Sequence, residues 1–219
     1  MELLDKGISK GVSLYRKLQL SIVEKSSGTS CEVLNESGFY DVGYMTSRVE
    51  RAKNELRSVS VRISAERELS DTSKSGEMRL KELSDKKESL IFEIAFLGSN
   101  NIKNLDDCLN MIEGRGYAFA SCIEALKKYR DGDRSKAFFE LESYHRSKGD
   151  VKDHFLVNKI YGLLLVENGR EDEAVRYLTI ALQLLPDDKE SLAALKRCYG
   201  IQKHSAKERV VSEVMELLG

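Results

Sequence analysis

The sequence predicts an all-α protein: an N-terminal helix, then a coiled-coil helical hairpin, then a short α-solenoid in the C-terminal half. Three observations carry this. The chain of 219 residues contains one proline; proline interrupts helix interiors and collects in loops, so its near absence favours helix. Hydrophobic residues make up 41% of the chain and charged ones 32%, with both signs interleaved, enough apolar content for a core and enough polar content for amphipathic faces. Those apolar residues return at intervals of three and four along most of the chain, and no strand-like alternation of convincing length competes with them.

The same composition excludes several functions. A formal net charge of -1 provides no field for a phosphate backbone or an anionic membrane surface, so no nucleic-acid partner is expected. The opening MELLDKGISKG mixes acids with lysines where a secretory signal needs a basic tip and an apolar run. No stretch approaches the roughly 18 apolar residues of a membrane span. The expectation is a cytoplasmic protein without membrane insertion. Cys31, Cys108, Cys122 and Cys198 are far apart, show no C-x-x-C and have no histidine at ligand spacing, which predicts free, mostly buried thiols and no metal.

Residues 1–43 form the first region. Leu4, Ile8, Val12, Tyr15, Leu18 and Ile22 mark an amphipathic helix from about Glu2 to Glu24. Gly7 and Gly11 each weaken it by about 1 kcal/mol relative to alanine, so it needs a surface to lie on. The runs KSSGTS and NESGFYDVG that follow read as a linker of roughly 20 residues.

Residues 44–98 carry two seams. Met45, Val49, Ala52, Leu56, Val59 and Ile63 alternate by four and three, the spacing of a two-helix packing surface. Leu80, Leu83, Leu90, Ile94 and Leu97 repeat the alternation, with Lys87 at the one charged seam position; Glu77 with Lys81 and Glu82 with Lys86 are spaced as ion pairs along the second helix. The seams are out of phase across Ser70 to Gly76, so the helix either continues through a stammer or turns back on itself. Serine, aspartate, threonine and glycine compete with helix there, which favours the hairpin. Gly98 to Asn104 ends this region with a C-capping glycine and asparagines.

The third region, 105–219, opens with a short helix, Leu105 to Glu113, and the glycines Gly114 and Gly116. Helices are then expected at Ala118 to Asp131, Lys136 to Ser147, on both sides of Gly169 between Phe155 and Leu185, at Lys189 to Tyr199 and at Ala206 to Leu218. With Phe155 counted as first, Gly162, Gly169, Ala174, Leu178, Ala181 and Pro186 stand eighth, fifteenth, twentieth, twenty-fourth, twenty-seventh and thirty-second. This register resembles the tetratricopeptide repeat, a helix-turn-helix unit of roughly 34 residues. An earlier unit starting at Ala118 matches at Ala125, Gly132, Ala137 and Leu141. Ala137 to Ala174 is 37 residues, which places an insertion of three around Lys148 to Asp153. Asn158 and Ser121 stand where the family usually has a large aromatic. The last helix, with Val210, Val211, Val214, Leu217 and Leu218, reads as a cap on the stack.

The resemblance implies a protein-binding scaffold whose partner lies on the concave face made by first helices. Carried onto this chain, the binding positions are Phe119, Cys122, Leu126, Tyr129 and Arg130, then Leu156, Lys159, Leu163, Val166 and Glu167. The face is apolar, so it is either a docking groove for a peptide or amphipathic helix or part of the protein's own core, with about half of it expected to be covered by the chain's own helices. Lys159 matches the family's two-carboxylate clamp, but Leu163 replaces its asparagine, and Glu190 and Ala194 replace its basic side chains, so a chaperone tail is not expected. His145, His154 and His204 are dispersed and no phosphate loop follows a strand, so no enzyme and no cofactor are expected. Asp106-Asp107 and Asp187-Asp188 read as helix-start carboxylates. The expected function is that of an adaptor; the alternative is a homo-oligomer, such as a dimer, built through the coiled coil, with the repeats as spacers.

Overall fold

A computed structural model describes residues 42–68, 74–148 and 154–218, and every regular element among them is a helix. The expected helix at Glu2 to Glu24, most of the linker after it, Cys31 and the insertion after Lys148 lie outside the described residues. Two long helices come first, α1 (Val42–Glu68) and α2 (Lys74–Gly98). At 1.5 Å per residue, the 27 residues of α1 make a rod of about 40 Å. The pair is antiparallel: Arg48 Nε lies 2.6 Å from Glu93 Oε1, and Lys86 Nζ lies 2.5 Å from Glu55 Oε1. Lys86 therefore reaches across to α1 rather than to Glu82 on its own helix. Ala52, Val59, Ile63, Leu83, Leu90 and Ile94 close the seam inside one chain.

Gly98 is the last residue of α2, and no positive φ is found there, so the expected C-cap role is replaced by another. A Cβ at Gly98 would sit 3.0 Å from the Cys108 sulfur, and the glycine lets α2 come close to α3 (Leu105–Ile112). Capping falls to the neighbours. Asn100 Nδ2 donates to the Phe96 carbonyl at 3.1 Å, and Asn101 Oδ1 accepts from Lys103 N at 3.0 Å to start a single 3-10 turn, Ile102–Asn104.

Six helices follow in three consecutive antiparallel pairs: α4 (Ala120–Arg130) with α5 (Arg134–Lys148), α6 (Phe155–Glu167) with α7 (Glu171–Leu184), and α8 (Lys189–Ile201) with α9 (Ser205–Leu217). Each pair packs on the next, and α6 touches both α4 and α8. Gly132 and Gly169 adopt φ of 92° and 70°, a left-handed conformation that glycine takes without strain, and this turns the first helix of a pair into the second. Gly162 serves closeness instead: a Cβ there would lie 2.8 Å from Leu178 Cγ. Glu171, Asp172 and Glu173 fill the first turn of α7, where carboxylates favour exposed amide groups. Asp188 caps α8 through Ser191 N at 2.8 Å. Pro186 follows the end of α7 by two residues.

The core runs without a break from Ile91, Ala95 and Leu97 of α2 to Val211 and Val214 of α9. Leu217 and Leu218 at the end of the chain stay exposed. No described helix is long and apolar enough to cross a membrane.

A candidate protein-binding face

The ten residues expected on the concave face divide into two groups. Phe119, Cys122, Leu126, Leu156 and Val166 are buried. Phe119 packs with its ring 5.0 Å from Phe96 of α2 and 5.1 Å from His154, and the Cys122 thiol is hydrogen-bonded to Tyr144. Leu156 N donates to Asn100 Oδ1 at 3.2 Å, which ties the start of α6 to the end of α2. Asp106 of α3 binds Lys127 at 2.6 Å and Arg130 at 2.7 Å on α4. Hydrogen bonds from Arg130 and Lys127 hold the Asp106 carboxyl down at about 2, so this aspartate joins two helices as well as standing in a first turn. The end of α2 and the short α3 thus lie against the first part of the face.

Tyr129, Arg130, Lys159 and Leu163 are half-buried, and Glu167 is exposed. Their charges are already engaged. Arg130 Nε also binds Asp131 at 2.9 Å. Lys159 Nζ sits between Asp188 Oδ1 at 2.7 Å and Glu190 Oε2 at 2.9 Å, and 5.7 Å from the Phe155 ring centroid. Burial opposes the Lys159 charge, but the bonds to Asp188 and Glu190 outweigh it and the pKa lies above the ordinary lysine value. Glu167 pairs with Arg134, whose guanidinium lies 5.1 Å over the Tyr129 ring. Burial raises the Tyr129 hydroxyl pKa, Glu190 and Glu167 raise it further, and Arg134 and Lys159 oppose them. Side chains of α4, α6 and α8 therefore converge around this tyrosine.

The face continues onto α8. Counted from Lys189 as the start of a unit, the corresponding positions are Glu190, Ala193, Arg197, Gly200 and Ile201, and all five are exposed. Ile201 is a large apolar residue left 52% exposed. The residues named from the sequence end at Glu167; the 34-residue step from Phe155 to Lys189 is the signal by which this third set could have been named. The face is closed at its α4 end and open at its α8 end.

His154 is the joint beneath the closed part. It caps α6, with Nδ1 accepting from Val157 N at 3.1 Å, so the ring proton belongs on Nε2, which lies 2.9 Å from Ser99 Oγ. Ser99 Oγ in turn donates to the Phe96 carbonyl at 3.1 Å. Complete burial pushes the imidazole down to about 3, and the neutral ring is fully satisfied. It is a helix-start residue in the interior.

Among the described residues, no group of three or more histidine, cysteine, aspartate or glutamate side chains is placed to hold a metal ion. Cys108, Cys122 and Cys198 are free and buried. Burial raises all three thiols, Cys108 and Cys198 to about 11, which keeps them protonated at neutral pH. Compared with known proteins, the chain matches no family model, no curated protein and no solved structure.

Proposed function

We propose that the chain is a protein-binding scaffold of tetratricopeptide-like pairs, and that the open part of the face, from Tyr129 and Leu163 to Ala193 and Ile201, holds a segment of another protein. One observation supports this reading: at corresponding positions of the register Cys122 and Leu126 of α4 are buried, Leu163 of α6 is half-buried, and Ala193 and Ile201 of α8 are exposed. Leu163 and Ile201 supply apolar anchors, and the polar rim around them fits a groove that recognises an amphipathic segment. Rim charges paired within the chain, such as Lys159 and Glu167, limit binding to partners that do not demand those groups.

A photoreactive residue at Ala193 and another at Arg197, each in the full chain expressed in its own host, test the proposal. The same foreign protein must be cross-linked from both positions, and Leu163→Glu with Ile201→Glu must abolish the product. Cross-links only between copies of this chain would favour the homo-oligomer instead. That alternative has less support, because the α1 and α2 seams are filled by each other, and the large hydrophobics that the described parts of these two helices leave exposed are Val61, Met78 and Phe92.

A further inference from the structure

The first pair carries a second surface. Tyr117, Ser121, Glu124, Phe139, Glu140 and Tyr144 line an open groove of about 400 Å³ between α4 and α5. Phe139 is 71% exposed, the most exposed large hydrophobic among the described residues.

The fold contains its own precedent for what fills such a groove. In the second pair the corresponding valley, between α6 and α7, receives α5: the His145 ring lies 4.5 Å from Tyr161 and 4.8 Å from Tyr177, and Phe138 lies 6.1 Å from Tyr161. The 37-residue offset from Ala137 to Ala174 sets Glu124 in the place of Tyr161 and Glu140 in the place of Tyr177. Two rings that receive an aromatic helix are thus replaced by two carboxylates. Glu124 is exposed and has no ion pair among the described residues. Glu140 gives Oε1 to Lys128, while its inward-turned Oε2 has no hydrogen-bond partner. An under-satisfied carboxylate gains from a donor that reaches it by a side-chain rotation.

We propose that this groove is a second docking site, independent of the face on α6 and α8, and that it takes a basic amphipathic helix of a partner protein. The helix lies as α5 lies on the second pair. A lysine or arginine enters between Glu124 and Glu140, and apolar residues one turn away cover Phe139. Charge complementarity sets the choice: an apolar or acidic helix would cover Glu124 and the free Oε2 of Glu140 without giving either a donor.

The chain has no tryptophan, so Phe139→Trp in the full-length protein gives a single reporter. Two synthetic helical peptides are titrated, one with a central lysine flanked by leucines one turn away on each side, the other with glutamate in place of that lysine. The expected result is a saturable blue shift with the lysine peptide, at least about tenfold tighter than with its glutamate twin. The advantage must be lost in Glu124→Lys and weakened in Glu124→Gln, both verified as folded by circular dichroism. Equal binding of the two peptides, no binding, or an unchanged preference in Glu124→Lys overturns the proposal. So does a reporter indole already shielded from acrylamide before any peptide is added, which would mean that the chain's own residues fill the groove.

Discussion

Ser99 Oγ stands 2.9 Å from Nε2 of His154 in an environment closed to water, and each residue completes the other's hydrogen bonding. Replacing Ser99 by alanine leaves the imidazole N–H without an acceptor. The expected loss of stability is about 1–3 kcal/mol by urea denaturation. The loss should be shared by probes in α2 and in α6, because the bond joins them.

His154 also predicts a pH response. Its folded pKa of about 3 lies below the ordinary value of 6.5. Above 6.5 both states are neutral and stability is complete; as pH falls from 6.5 toward 3, only the unfolded chain takes up the proton. Stability should therefore decline by about 1.4 kcal/mol per pH unit through that window from this group alone. His154→Asn retains a side-chain acceptor for the α6 cap, is less stable at neutral pH, and should show a shallower slope between pH 6.5 and 4.5. An identical slope in both proteins would assign the acid sensitivity to carboxylates.

Gly162→Ala tests the close approach of α6 and α7. Alanine improves helix propensity by about 1 kcal/mol, but its Cβ meets Leu178 Cγ at 2.8 Å and the backbone N of Leu178 at 3.2 Å. The backbone cannot yield as a side chain tip can, so net destabilisation of about 1–3 kcal/mol is expected. Thermal melts of Gly162→Ala and of the double variant Gly162→Ala with Leu178→Ala show whether the clash is the cause, since the smaller partner should recover part of the coupling.

Leu126 and Leu163 occupy the same position in successive units but differ in burial. Leu126→Glu places a carboxylate in a site with no exposure at all and should prevent cooperative folding. Leu163→Glu should fold, with a far-ultraviolet spectrum like that of the parent, and lose the cross-links expected at Ala193. Equal unfolding by both substitutions would make the open face part of the core.

Local spacing accounts for what could be read in advance. The seam residues from Val49 to Ile94, the turn glycines Gly132 and Gly169 and the approach glycine Gly162 announce themselves through neighbours one or two turns away. Long-range covering does not. Leu126 looks like Leu163 in the repeat register, and only the arrival of Phe96 and its neighbours from α2 beside the first unit distinguishes it from the half-buried position of the second. Gly98 resembles a C-cap in sequence for the same reason: its cause is the Cys108 sulfur, ten residues away in sequence and on another helix. Glu124 and Glu140 are ordinary charges until the offset sets them against Tyr161 and Tyr177.

Because Ile91, Ala95 and Leu97 of α2 belong to the large core while Leu83, Leu90 and Ile94 close the seam with α1, the same rod serves two structures. Just past its end, Ser99 and Asn100 bond to His154 and Leu156 at the start of α6. The hairpin and the helix pairs are therefore not beads on a string: they hold one helix in common, and its end is bonded to the first turn of α6.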